Sequence, residues 1–254
     1  MTMNADEIRR RFASALLSAK AASSAMSDES LGYSDSKEAN AFIFSNPFAF
    51  LLGLIFDQGI QSTKAWKAPK LLSERLGQLD PLRISAMSEQ ALECAIANKP
   101  SLHRYPSVIS RYVLGASQVV VEQFSGSATA LWCGGLTVDQ ARTNLLLIPG
   151  IGMKKANLGV LMLWRDFGVQ FHGIETLPMA VDVHLKRVFR RAGVLDSSGD
   201  EREFSRILGS LSSEPPAIFG TILWGIGQRY CHVTSPECLV CPLRHGCERN
   251  LSNG

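Results

Sequence analysis

Lys154 and Asp182 are two residues of this sequence whose settings suit them to nucleophilic or acid–base chemistry. Lys154 lies in Leu147-Ile148-Pro149-Gly150-Ile151-Gly152-Met153-Lys154-Lys155-Ala156-Asn157, on the first turn of an expected helix. A lysine there meets the positive end of the helix dipole and the charge of Lys155. Both favour the neutral amine that a nucleophile requires. The plainer role is a phosphate contact or a solvated surface charge. Asp182 lies in Met179-Ala180-Val181-Asp182-Val183-His184-Leu185-Lys186-Arg187, at a helix N-cap, and capping is its plain role. A carboxylate in that place can also stabilise a developing cation or position a water. Lys186, Arg187, Arg190 and Arg191 make the same stretch basic, either as a solvated face or as a track for phosphates.

Four of the six cysteines crowd into the C-terminal stretch, Cys231, Cys238, Cys241 and Cys247, with intervals of six, two and five residues. Four thiolates on one short loop can wrap a single metal centre. Structural zinc sites usually pair two Cys-x2-Cys-like knuckles drawn from separate places, and only one such knuckle occurs here. A [4Fe–4S] cluster also takes four thiolates and is bulkier, so the spacing favours the cluster, with zinc as the other reading. Arg244, His245 and Arg249 make the loop basic, as a phosphate contact or as a charged surface. Cys94 and Cys133 stand alone in apolar surroundings and read as small buried residues.

The elements that must position these groups read as helices throughout. Residues 5–22 carry Ile8, Phe12, Leu16 and Leu17 at helical spacing, and residues 23–40 are polar and turn-rich, a loop. Asn46-Pro47 opens an apolar helix through Gln61. Helical segments follow at 63–76, 87–97, 106–124, 136–147, 154–164, 181–193, 201–211 and 215–230. No run alternates at period two, so the fold class is all-α. Between the helices ending at Ile148 and beginning near Met153, Pro149-Gly150-Ile151-Gly152 forms a hairpin. Its glycines permit positive φ and leave backbone N–H groups uncovered, a nest for a phosphate.

Composition sets outer bounds. With 254 residues, 46% hydrophobic and 19% charged, the chain is long enough for one large domain or two small ones with ordinary cores. A formal net charge of +3 says nothing decisive about nucleic acid. No long uncharged apolar run suggests a membrane span, and the N-terminus has no signal-peptide pattern. A cytoplasmic protein is expected, with thiols reduced and clustered cysteines binding metal.

Together the hairpin with Lys154, the Val181-Asp182-Val183-His184 segment and the four-cysteine loop resemble the endonuclease III family of helix–hairpin–helix base-excision DNA glycosylases, over about residues 44–250. The resemblance implies two helical lobes with a DNA-binding cleft: a barrel at 44–168, and a cluster lobe built from 1–43 and 169–254 with a [4Fe–4S] loop at 231–247. It implies double-stranded DNA with a damaged or modified base as partner, a monomer, and a bacterial, nucleoid-associated location. By matching motifs Lys154 is the Schiff-base lysine and Asp182 the catalytic aspartate. The implied mechanism is base displacement by the lysine amine followed by β-elimination. Pro149, Gly150, Ile151, Gly152, Lys155 and Arg187 are then DNA contacts. Gln58 matches a glutamine that fills the gap left by a flipped base, and Leu102 and His103 fall near a second intercalating loop.

The sequence departs from the family in two places. Lys154 and Asp182 are 28 positions apart, longer than the family interval, with the extra residues in 165–178, a loop expected to reach the pocket or the DNA. The family's Gln-Ala-Thr-Asp string is replaced by Gln58-Gly59-Ile60-Gln61. Both imply a base other than oxidised pyrimidines: uracil, an alkylated base or another modified pyrimidine. Two further readings stand beside the bifunctional one. One is a monofunctional glycosylase in which Asp182 activates water; the other is a non-enzymatic binder of damaged DNA.

Overall fold

The computed structural model describes residues 4–24, 33–195, 201–212 and 214–251. Among these there is no strand, only an isolated bridge between Thr137 and His172, and the all-α reading holds. The helices are α1 (Ala5–Ser24), α2 (Lys37–Ser45), α3 (Pro47–Phe56), α4 (Ser62–Leu76), α5 (Pro81–Ser85), α6 (Glu89–Ala97), α7 (Pro106–Gln123), α8 (Val138–Leu146), α9 (Met153–Phe167), α10 (Val183–Ala192), α11 (Glu201–Leu211) and α12 (Pro216–Arg229). No single described helix is long and apolar enough to cross a membrane.

The chain divides into two compact units, Leu31–His172 and the pair of segments Met1–Ser30 with Gly173–Gly254. The first boundary lies earlier than the expected 43/44 because α2 packs on α3 and α4 and joins their unit. Part of the expected loop at 23–40 is thus helical. Ser36 caps α2 by accepting from the Ala39 amide, and residues 25–32 of that loop lie outside the described residues. Asn46 serves two helices at once: its amide donates to Phe42 O at the end of α2, and its side chain accepts from Ala49 N to open α3. Every residue of α3 from Phe48 to Phe56 is buried, and a Cβ at Gly53 would lie 2.3 Å from the Trp66 ring of α4. That helix stops at Phe56, short of the expected Gln61. Asp57 caps it and Gly59 takes a φ of +65°, so Gln58 sits on a turn.

The 165–178 segment does not run free. Within the first unit His172 N donates to Leu136 O and Val138 N donates to His172 O, and Phe171 is buried. These bonds lay the insertion beside the start of α8. In the other unit α10 packs on α12, and α1 on α11 and α12, around Phe12, Leu16, Phe189, Phe204 and Phe219.

Cys94 and Cys133, expected to be buried, are both exposed. Cys94 falls between the buried Leu92 and Ile96 on the outer side of α6, and Cys133 follows the buried Leu131 and Trp132 at a turn. Their apolar neighbours in sequence point inward, which leaves the thiols out.

Candidate functional site

Hairpin residues 149–152 are held from behind by α7. Pro149 packs against Gly115, where a Cβ would come within 2.9 Å of the proline ring. Gly150 has a φ of +85°, and a Cβ on it would lie 2.6 Å from the Tyr112 ring. Two independent constraints, backbone conformation and space, therefore require glycine there. Ile151 is buried and its amide closes the turn onto Ile148 O at 3.1 Å. Pro149 and Ile151, expected as DNA contacts, thus serve through their side chains as anchors of the turn. Gly152 is the N-cap of α9, is exposed, and has no side-chain cap bond to offer. The first intrahelical bond runs from Ala156 N to Gly152 O. The amides of the first turn, Met153 to Lys155, precede it and face the positive dipole end, an arrangement suited to an anion.

The two lysines of this turn have opposite environments. Lys154 is exposed. Lys155 reaches inward, donating from Nζ to Ile55 O of α3 and to Gly150 O of the hairpin, each at 3.1 Å. Burial pulls its pKa down to about 8; the charge of Asp57 opposes that shift and the charge of Lys154 adds to it. The sequence reading placed the easily deprotonated amine at Lys154, and the amine whose pKa is lowered by desolvation is its neighbour. Asp57 accepts from Trp66 Nε1 at 3.3 Å and Ser62 Oγ at 3.4 Å, and burial raises its pKa.

Gln58 and the 102–105 stretch, far apart in sequence, meet in the fold. His103 Nδ1 accepts from the Tyr105 amide at 3.1 Å, so its Nε2 carries the proton and donates to Gln58 O at 2.8 Å. Arg104 Nη1 adds a longer bond of 3.4 Å to Gly59 O. The Gln58 side chain turns back to donate to Ile55 O at 2.8 Å, the same carbonyl that Lys155 holds. Leu102 and His103, expected as intercalating or DNA-contacting residues, are buried. His103 ties the two turns together through Gln58 O, and burial lowers its pKa. The residues presented outward are Arg104 and Tyr105, the guanidinium lying 4.6 Å from the ring centroid. The sequence reading missed that pair; its only signal was an arginine–aromatic dipeptide before Pro106.

Asp182 is the N-cap of α10. Its Oδ1 accepts from the amides of His184 at 2.9 Å and Leu185 at 3.0 Å, and Oδ2 takes no bond among the described residues. Arg187, expected on DNA, is committed elsewhere. Its Nε donates to Cys231 O at 2.6 Å, and Nη2 donates to Gly227 O at 2.7 Å and His184 Nδ1 at 3.0 Å. A donor-only fork within reach of three acceptors becomes a brace for the cysteine loop.

That loop wraps one cavity. Cys231, Cys238, Cys241 and Cys247 all line it, with Phe12, Val188, Ile226 and Leu243 supplying apolar wall. No three of the described Cys, His, Asp or Glu side chains converge closely enough for a single ion. Burial pushes the Cys241 and Cys247 thiols up, a shift that a bound cation reverses. Arg191, buried, donates to His232 O at 2.5 Å, Val233 O at 2.8 Å and Cys231 Sγ at 3.5 Å. Gly246 lies so close to α1 that a Cβ would come within 2.9 Å of Arg11 O.

No protein-family model matches the chain. Among curated proteins it is 25% identical to the Endonuclease III of Sulfolobus acidocaldarius over 209 residues, 82% of this chain and 84% of that protein. It is 27% identical to the Endonuclease III of Bacillus subtilis over 52% of this chain and 51% of that one. Among solved structures it matches a trapped Endonuclease III–DNA covalent intermediate with a TM-score of 0.65 at 21% identity, covering 98% and 97% of the two chains. The chain is thus similar in sequence to Endonuclease III proteins and shares the fold of a solved Endonuclease III. A thermostable thymine-DNA glycosylase matches this endonuclease III-like fold nearly as well, with a TM-score of 0.64 at 13% identity over 98% and 99% of the chains. Asp57, Lys155, Arg104 and Tyr105 are the candidate residues that motif matching did not place in their observed roles.

Proposed function

We propose that this chain is a base-excision glycosylase that binds duplex DNA, removes a damaged or modified base and then cleaves the abasic strand through a lysine imine. The observation that carries the reading is the uncapped first turn of α9, set behind a glycine hairpin and bearing adjacent lysines. Similarity to the Endonuclease III of S. acidocaldarius along 84% of that protein supports it.

In this reading the α9 amides and Gly152 take a backbone phosphate, which orients the strand without reading its sequence. Lys154 matches the family's Schiff-base lysine: its amine displaces the base at C1′, and the imine then permits elimination of the 3′ phosphate. Asp182 Oδ1 is spent on capping, and Oδ2 is left to take a proton or to stabilise positive charge on the sugar. Gln58 and the exposed Arg104–Tyr105 pair serve the DNA around the extruded nucleotide. The four cysteines hold a [4Fe–4S] cluster, whose part is to fold the C-terminal loop around itself. The substrate is a base other than an oxidised pyrimidine, because Gly59-Ile60-Gln61 follows Gln58 where the family has a different string.

One observation favours a second reading. A carboxylate oxygen without a partner among the described residues at Asp182 also suits activation of water, which would make the enzyme a monofunctional glycosylase. A panel of duplexes bearing single lesions decides, with base release and strand nicking scored separately. Release coupled to nicking that disappears in Lys154→Ala supports the imine mechanism. Release without nicking, lost in Asp182→Asn, supports water attack. Binding without release across the panel would leave neither reading standing.

A further inference from the structure

Motif position points to Lys154 as the reactive amine, yet the environment that makes a lysine reactive surrounds its neighbour. We propose that Lys155 is a second imine-forming amine of the hairpin, able to react with the sugar of an abasic nucleotide when Lys154 cannot. The proposal rests on the lyase reading above and deepens it.

The geometry is specific. Lys155 Nζ lies between Ile55 O and Gly150 O, 3.1 Å from each. A neutral amine has two N–H bonds, and these two carbonyls accept both, leaving the lone pair uncommitted. An ammonium has a third N–H that needs another acceptor. Asp57 is the carboxylate facing it, and its described hydrogen bonds come from Trp66 and Ser62. The other charged or titratable groups that bear on this amine are Lys154 on the same turn and His103 on the turn before α7. Lys154 repels a cation, and His103 is held as a neutral donor to Gln58 O. Burial agrees with the geometry, bringing the amine to a pKa of about 8, near the working range of a nucleophile. A half-buried amine with a lowered pKa beside a candidate phosphate site is a candidate for chemistry.

The step balances without any further reactant. At an abasic site the Lys155 nitrogen adds to the C1′ aldehyde, and the resulting carbinolamine loses water to give the protonated imine. Loss of a proton from C2′ then expels the 3′ phosphate with the electron pair of the C3′–O bond. Hydrolysis of the imine returns the free amine.

Borohydride trapping on a duplex with one abasic site tests this, using wild type, Lys154→Ala, Lys155→Met and the double variant, with each adduct digested and its peptide mapped by mass spectrometry. The expected result is an adduct in Lys154→Ala, formed more slowly by up to about a hundredfold. It maps to Lys155, its rate rises through pH values near 8, and it is absent from the double variant. The decisive arm leaves Lys155 intact, so a folding defect in Lys155→Met does not blunt it; circular dichroism of Lys154→Ala checks that arm directly. No adduct in a folded Lys154→Ala, or one mapping to another amine, overturns the proposal while wild-type trapping keeps the lyase reading. No adduct in wild type removes the lyase reading and this proposal with it.

Discussion

Lys155 Nζ stands 3.1 Å from the carbonyl oxygen of Ile55, a residue 100 positions earlier in the chain. The bond joins the last turn of α3 to the hairpin, because the same amine also holds Gly150 O. One half-buried side chain thereby sets the hairpin against the turn that carries Gln58, whose own amide shares the Ile55 carbonyl.

That burial has a sign that can be measured. The folded-state pKa of Lys155 is about 8, below the usual 10.5. Below pH 8 both folded and unfolded chains are protonated there, and folding carries the full cost of burying the charge. Between about 8 and 10.5 the unfolded chain binds more protons, so stability rises with pH. Denaturant midpoints of wild type and Lys155→Met are expected to diverge in favour of wild type as pH rises from 7 to about 9.5. Parallel curves would mean that the amine is not buried in solution.

Gly150→Ala should damage the hairpin by two routes, the positive φ of +85° and the 2.6 Å approach to Tyr112. Left-handed backbone strain alone costs about 1–3 kcal/mol. Adding Tyr112→Ala relieves the contact but not the dihedral. Fluorescence anisotropy with an undamaged duplex should therefore show weakened binding in the single variant and only partial recovery in the double.

Tyr105 is 47% exposed beneath the Arg104 guanidinium, while Leu102 and His103 are buried. Tyr105→Ala is expected to weaken binding to an abasic duplex by about 1–3 kcal/mol if the ring stacks on a base. Arg104→Ala should instead flatten the salt dependence of binding by about one phosphate contact. His103→Ala should lower the thermal midpoint, because it removes the bond that locks the Gln58 turn. The reverse pattern, a loss of affinity in His103→Ala at unchanged stability, would assign the contact to the buried ring.

Arg191→Met leaves the carbonyls of His232 and Val233 without their donor, at about 1–3 kcal/mol for each acceptor that stays buried. The variant should lose iron and acid-labile sulfide faster on dilution than wild type, with Cys241→Ser losing both more completely. Stoichiometric zinc in place of iron in the wild-type protein would replace the cluster assignment.

Much of the fold was legible because helices are written in local periodicity. The repeating apolar positions of α1, the cap of α10 and the glycine hairpin each rest on residues a few positions apart. The Asp182 cap could be named for the same reason: its partners are two and three residues away. The end of α3 could not, since apolar character runs on past Phe56 in Ile60 and only the Asp57–Gly59 turn geometry stops the helix.

By itself the sequence determined the all-helical class, the hairpin and the crowding of four thiols, features encoded in residue type and short spacing. Tertiary structure alone decided which side chains turn inward. It turned Lys155 inward onto Ile55, buried Leu102, tied a buried His103 to the Gln58 turn and committed Arg187 to Cys231, and it left Arg104, Tyr105 and two lone cysteines outside. The physical reason is common to all of them. The pKa and availability of a polar group depend on solvent exclusion and on acceptors supplied from distant segments, and neither is visible until the chain has packed.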